Sequence, residues 1–506
     1  MEFLRVNLKE KLIFILLGPL IFFVILWIGP YSGMSAEAHA ILASTAWVAL
    51  WWITEAIPIP VTSLLPLVLF PLTGGLDIET TGEAYGNKII FLFLGGFIIA
   101  IAIEKWNLHK RIALNIISLI GTSMSNMVLG FMIATAFLSM WISNTATSVM
   151  MLPIGIAIIK QLSTFETPIG TQDSGQSRVS ANFGKVLMLG IAYSASIGGM
   201  ATLIGTPPNL VLAGVITEFY NTEIGFMNWF LFAFPLSVIL LFIAWFYLVK
   251  IAFPLKKFSF PGGEGEILKQ LKSLGKISFE EKTVLAVFIL TALAWINRSF
   301  ILNNFLPNLD DSIIAIIGAS LLFLLPTSRK EETKILNWSD SKNIPWGIIL
   351  LFGGGLAVAA GFSESGLAEW IATKITIFQG VSLFLLLLIV IFTVNFLTEI
   401  TSNTATTAML LPILAPVAFT MGVHPYGFLF GAALAASCAF MLPVATPPNA
   451  VVFGSGYLQM KDMVKTGIVM NIISVIIILL YIYYLLPWIW NIDIKVFPEG
   501  IILLGT

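Results

Sequence analysis

A five-residue polar string occurs twice in this chain, each time inside an apolar run. Ser143-Asn144-Thr145-Ala146-Thr147 recurs as Ser402-Asn403-Thr404-Ala405-Thr406, and the match continues in register through Met150 and Met409, Leu152 and Leu411, Pro153 and Pro412. Further pairs flank it in the same order. Upstream, Phe93-Leu94-Gly95-Gly96 resembles Leu351-Phe352-Gly353-Gly354, and downstream Thr206-Pro207-Pro208-Asn209 recurs as Thr446-Pro447-Pro448-Asn449. A single matched tetrapeptide arises by chance about once in a chain of this length, whereas an ordered series signals internal duplication. One copy is placed at residues 40–250 and the other at 283–490. An N-terminal segment (1–30), a linker (251–282) and a tail (491–506) lie outside them.

What surrounds the strings decides the solvent. Of 506 residues 58% are hydrophobic and only 10% charged, against about a quarter charged in soluble domains. Too little charge exists to coat a water-soluble surface, so most of it faces lipid. The chain reads as an all-α polytopic membrane protein. Net charge is −1, so no nucleic-acid partner is expected. One cysteine (Cys438) and three scattered histidines (His39, His109, His424) make neither a disulfide framework nor a zinc pattern. No Walker-type loop and no nucleophile–base spacing is present, so neither an ATP-driven pump nor an enzyme is expected, and no cofactor.

Spans of roughly 20 apolar residues are expected at Leu12–Gly29, Ile89–Ile103, Trp229–Phe253, Thr283–Leu302, Ile348–Ala360 and Val464–Trp488. Shorter or broken candidates lie at Ala40–Ile53, Thr62–Leu72, Ser312–Leu325, 124–160 and 381–421. Ala38-His39-Ala40 has the form of a signal-peptidase site, but the preceding apolar run is longer than a signal core and is read as the first spanning helix. The two longest polar loops are placed at Leu162–Gly184 and Leu255–Lys282.

Basic residues then set orientation. An inner N-terminus puts Arg5, Lys105, Lys110, Arg111, Lys185, the cluster from Lys250 to Lys282 and the group from Arg329 to Lys342 in the cytoplasm, with the C-terminus outside. The segment Glu104–Gly121 reads as one amphipathic helix on the inner membrane surface. The second copy's equivalent, Glu364–Thr376, is poor in positive charge, so the copies are expected to be inverted relative to each other.

Around each polar string the apolar pieces Val128–Ile142, Ala146–Ile159, Ser382–Val394 and Ala405–Phe419 are too short to cross a bilayer. Each pair suits a re-entrant hairpin with its polar tip deep in a cavity. Ser, Asn and Thr are favoured N-cap residues, so the returning helix presents free N–H groups and a positive dipole end to an anion. The arriving helix ends in carbonyls that suit a cation. Thr-Pro-Pro-Asn breaks a helix likewise, since proline supplies no N–H. No Lys or Arg lies in these segments. A divalent anion held there needs cations for charge compensation, which is a physical basis for coupled transport. Glu55 and Glu399 read as buried acids, equally open to a functional or a hydrogen-bonding role. Trp51, Trp52, Trp488 and Trp490 read as interface anchors.

These stretches, together with Trp51-Trp52-Ile53-Thr54-Glu55-Ala56-Ile57-Pro58, Ser139-Met140-Trp141-Ile142 and Thr398-Glu399-Ile400-Thr401, resemble the divalent anion:sodium symporter family, the INDY-like di- and tricarboxylate carriers, over nearly the whole chain. The likeness is closest to the bacterial sodium/dicarboxylate branch. The resemblance implies eleven transmembrane segments, two re-entrant hairpins, a homodimer and elevator-type movement. It implies one sodium site on Ser139, Ser143, Asn144 and the backbone near Gly205. The other falls on Thr398, Thr401, Asn403 and the backbone near Ala445, with Thr401 contributing a carbonyl. Substrate carboxylates are implied to meet Asn144, Thr145 and Thr206 from one half, and Asn403, Thr404, Thr446 and Pro447 from the other.

The leading expectation is sodium-coupled uptake of C4 dicarboxylates such as succinate, malate and fumarate across the cell membrane. Cation-independent dicarboxylate exchange is the rival within the family. Sulfate or citrate symport and an anion channel stand further off.

Overall fold

The computed structural model describes residues 8–498 except 122, 166–173, 256–260, 329–332 and 375–379. The chain begins with α1 (Leu8–Ile28), α2 (Ala36–Thr54), the short α3 (Ile59–Thr62), α4 (Leu65–Thr73) and α5 (Ile78–Glu83), then α6 (Lys88–Lys105) and α7 (Leu108–Ile120). The first polar string joins α8 (Met124–Ser139) to α9 (Asn144–Phe165); α10 (Ser174–Gly199) is broken from α11 (Pro207–Tyr220), and α12 (Phe226–Phe246) follows. Next come α13 (Pro261–Ser273), α14 (Phe279–Asn297), α15 (Asp311–Leu324), α16 (Trp346–Glu364) and α17 (Leu367–Lys374). The second string joins α18 (Leu383–Leu397) to α19 (Asn403–Thr420), α20 (Pro425–Ala436) is broken from α21 (Pro447–Phe453), and α22 (Met460–Leu480) and α23 (Leu486–Trp490) close the chain.

Among the described residues seven helices are long and apolar enough to cross a membrane, and five shorter apolar helices accompany them. Both hairpins start the same way. Ser123 Oγ accepts from the Asn126 amide at 3.2 Å to cap α8, and Ser382 Oγ from the Leu385 amide at 3.4 Å to cap α18. The halves then interlock. Each arriving helix packs on the long arm of its own broken helix, α8 on α10 and α18 on α20. The short arms cross over: α11 packs on α19 and α20, while α21 packs on α9 and α10. That exchange ties the two halves together at their broken helices.

Several expectations are corrected. The returning helices are longer than the apolar count gave: α9 has 22 residues and α19 has 18. Once nucleated, a helix propagates through polar residues, so α9 begins at Asn144 itself and continues past Lys160. The amphipathic segment is two pieces, because α6 runs to Lys105 and Asn107 takes a left-handed turn (φ 56°) before α7. Both long polar loops contain helix: α10 starts at Ser174, and α13 lies inside 255–282. The helices α10 and α20 were not expected as spans. The Gly, Ser and Asn content of α10 lowers its apparent hydropathy, while α20 is apolar but only twelve residues long, all of them buried. Trp51 and Trp52 are not interface anchors. They are buried, with Trp51 Nε1 donating to the Phe14 carbonyl and Trp52 Nε1 to Ser63 Oγ, both at 3.0 Å, while Trp488 is exposed as expected.

Three basic residues assigned to one face are ion-paired: Lys105 with Asp340 at 3.0 Å, Arg111 with Glu281 at 2.7 Å and Lys185 with Asp462 at 2.9 Å. Arg5, Lys256, Lys257, Arg329 and Lys330, also used for orientation, lie outside the described residues, as does the tail beyond 498.

Candidate functional site

The polar strings are where helices stop and restart. Ser143 Oγ accepts from the Ala146 amide at 3.2 Å, so the first string starts α9 by side-chain capping. Ser402 occupies the equivalent N-cap of α19 but makes no side-chain cap bond. In the second motif the roles reverse: Thr446 Oγ1 accepts from the Asn449 amide at 3.2 Å, whereas Thr206 makes no side-chain cap bond. Both proline pairs occupy the first turn of α11 and α21, where a missing N–H costs nothing.

A cavity of about 820 Å³ lies between the two halves, within the size range of small-molecule sites. Ser143, Asn144, Thr145, Gly205, Thr206 and Pro207 line it from the first half. Thr401, Asn403, Thr404, Ala445, Thr446 and Pro447 line it from the second. Only Ser139 and Thr398 of the expected set stay off the wall; both are fully buried behind it.

Behind the wall the halves build the same oxygen cluster. Ser139 Oγ lies 2.5 Å from Asn144 Oδ1 and 2.7 Å from the Ala195 carbonyl. Thr398 Oγ1 lies 2.6 Å from Asn403 Oδ1 and 3.1 Å from the Ala436 carbonyl. A hydroxyl has one hydrogen to give, so one oxygen of each pair is left without a donor from it. Around Asn144 two amide orientations fit. With nitrogen inward, the amide donates to Ser139 Oγ, the Ala195 carbonyl and the Gly205 carbonyl at 2.5, 3.2 and 3.3 Å. With oxygen inward, the same atoms form a shell of acceptors that a cation satisfies. A Cβ on Gly199 would lie 2.6 Å from Asn144 Oδ1, and one on Gly205 would strike the Gly199 carbonyl. These glycines keep that space open. Gly205→Ala is expected to cost roughly 1–3 kcal/mol through overpacking of this space. Thermal denaturation checks it, with an unshifted melting temperature as the contrary outcome.

The helix breaks themselves are held rigidly. Asn209 Nδ2 donates to the carbonyls of Met200 and Thr202 at 3.2 and 2.8 Å, and Asn449 Nδ2 to those of Ala439 and Leu442 at 3.1 and 3.0 Å. Tyr193 of the first half donates to the Phe440 carbonyl of the second break at 3.1 Å, and Trp229 Nε1 to the Met200 carbonyl at 3.0 Å. One support differs between halves. In the first, Thr202 Oγ1 donates to the Met140 carbonyl at 2.5 Å. In the second, the residue equivalent to Met140 is Glu399, whose carboxylate accepts from the amides of Phe440, Met441 and Leu442 at 2.8, 3.0 and 2.9 Å and from Asn471 Nδ2 at 2.7 Å. Glu399 is a buried hydrogen-bonding hub. Glu55 corrects the sequence reading, being exposed with φ 46° at the end of α2.

Thr401 Oγ1 is occupied by the Leu397 carbonyl at 2.9 Å and by Thr406 Oγ1 at 2.5 Å, which leaves its carbonyl for any ligand. Sequence reasoning missed the Ala195 and Ala436 carbonyls, because nothing in an alanine marks its backbone as part of a site. It also missed Lys11 and the exposed apolar side chains of Ile400 and Val444 on the cavity wall.

Comparison with known proteins places the chain in a family. Residues 10–492 match the family model described as the sodium:sulfate symporter transmembrane region. The chain is 47% identical over 487 residues to the sodium-dependent dicarboxylate transporter SdcS of Staphylococcus saprophyticus, covering 96% of this chain and 93% of that one. It is 48% identical over 488 residues to SdcS of Staphylococcus aureus, with the same coverage. Two solved structures share the fold at low identity. YdaH of Alcanivorax borkumensis gives a TM-score of 0.54 at 13% identity, covering 89% of this chain and 100% of that one. MtrF of Neisseria gonorrhoeae gives 0.51 at 12%, covering 92% and 97%. With a family match across almost its full length, the chain belongs to the sodium:sulfate symporter transmembrane family and is a multi-pass membrane transporter, not an enzyme.

Proposed function

We propose that the protein takes up C4 dicarboxylates such as succinate, malate and fumarate, coupled to sodium. The observation that carries this reading is the single cavity shared by both polar strings, with a matching oxygen cluster behind each. Sodium ions occupy those clusters: Ser139, Ser143, Asn144 and Gly205 on one side, Thr398, Thr401, Asn403 and Ala445 on the other. The substrate carboxylates lie between them, against Asn144, Thr145 and Thr206 and against Asn403, Thr404, Thr446 and Pro447. The cations offset the dianion's charge, because none of these lining groups is cationic. Relatives nearly half identical are named sodium-dependent dicarboxylate transporters, which supports this substrate class over sulfate or citrate.

Residues 40–250 and 283–490 act as inverted repeats that present the site alternately to each side, elevator-fashion, within a homodimer. The N-terminus is cytoplasmic and the C-terminus external. Counterflow in proteoliposomes tests the coupling: radiolabelled succinate uptake is expected to require an inward sodium gradient and to proceed into empty vesicles. Uptake that ignores sodium and needs dicarboxylate inside would make the protein an exchanger instead.

A further inference from the structure

Among the described residues that line the cavity, only two carry charge, Lys11 on α1 and Glu55 at the end of α2. Both are exposed, and α1 packs directly on α2. They belong to the part of the wall formed by α1 and α2, outside both polar strings. Glu55 also adopts a left-handed backbone (φ 46°), so its side chain leaves the helix end at an angle an ordinary helical residue does not take. Every other described lining residue is neutral. Among the described lining residues, these two side chains therefore supply the charge that acts on ions in the open cavity, together with the helix dipoles. Charges on the walls of a low-dielectric cleft act on ions well before contact.

Resting on the dicarboxylate–sodium reading above, we infer that Lys11 and Glu55 form a charged vestibule. Lys11 raises the local concentration of the dianion, and Glu55 raises that of the cation. Neither touches bound substrate; both set the electrostatic potential in the cavity up to the site, so they act on equilibrium occupancy at a distance. The two have opposite signs, so removing either one improves the protein's affinity for one ligand and weakens it for the other.

Succinate and sodium binding to the detergent-purified full-length protein, with both faces accessible, tests this. At about 10–20 mM ionic strength, where screening extends over roughly 20–30 Å, Lys11→Gln is expected to raise the succinate half-saturation about three- to tenfold. Its sodium half-saturation should fall. Glu55→Gln should shift both quantities the opposite way, and Lys11→Arg should match the parent. With choline chloride added to about 1 M, where the screening length is near 3 Å, the differences should vanish. A purely structural role for either residue produces shifts that salt does not remove, and that result overturns the vestibule. So does a Lys11→Gln protein with unchanged succinate affinity at low salt. Parent protein that binds no succinate overturns the transport reading and the vestibule with it, whereas normal sodium-dependent binding with salt-insensitive variants overturns the vestibule alone.

Discussion

Replacing Asn144 or Asn403 by alanine is expected to lower sodium-driven succinate uptake about 100-fold while the protein remains folded. Each asparagine begins a returning helix, lines the cavity and shares an oxygen cluster with the hydroxyl five residues before it. In the proposed function its amide meets both a cation behind it and a carboxylate in front. On that reading alanine removes both interactions with charged ligands, each worth about 1.5–3 kcal/mol. A combined loss near 3 kcal/mol corresponds to roughly two orders of magnitude. Folding is spared because neither asparagine is fully buried, and alanine is at home in the first turn of a helix. Uptake into proteoliposomes measures the effect, with size-exclusion profiles as the check on folding. Near-parental uptake by either variant would remove that half's string from the site. A loss in one variant alone would mean that the cavity works with a single cation cluster.

The second expected result concerns stability. Glu399→Ala leaves the amides of Met441 and Leu442 and the Asn471 side chain without their acceptor inside the protein, while the Phe440 amide keeps Asn471 Oδ1 at 3.2 Å. Unsatisfied buried donors cost about 1–3 kcal/mol each, so the total is expected to reach at least ~3 kcal/mol. Glu399→Gln is expected to lose less, since its amide oxygen at the Oε1 position keeps the bonds from Phe440, Met441 and Asn471 and only the Leu442 amide faces its nitrogen. Thermal denaturation of the purified protein should show a clear loss for Glu399→Ala and a smaller one for Glu399→Gln. The equivalent position in the first half tests the asymmetry: Met140→Leu should be nearly neutral, because only the Met140 carbonyl is used there. An unaltered melting temperature for Glu399→Ala would mean that water replaces the carboxylate, and the second break would then be wet.

Much of this was readable in advance because duplication writes the same chemistry twice. The paired strings, the proline pairs and the shortage of charge required broken helices around a polar interior, and the shared cavity lies where those motifs meet. The extents of the helices were less legible. Apolar counting stops at polar residues, whereas helical hydrogen bonding does not, so α9 outran its expected length. Helix α10 escaped notice because a helix surrounded by protein needs no lipid-facing Leu or Phe, and small residues let its neighbours approach closely. Helix α20 escaped because its twelve residues fall short of a full span.

From the amino-acid order alone came the membrane environment, the two-fold repetition and the residue types that line the shared cavity. These are local or compositional properties, carried by each residue wherever the chain goes. Only the tertiary structure decided that α11 and α21 cross to the opposite half, that the Ala195 and Ala436 carbonyls complete the oxygen clusters, and that Glu399 braces a break while Glu55 reaches the cavity. Each of those depends on which segments pack together across long stretches of chain. A backbone carbonyl or a carboxylate has no fixed role until its neighbours supply or withhold a hydrogen bond.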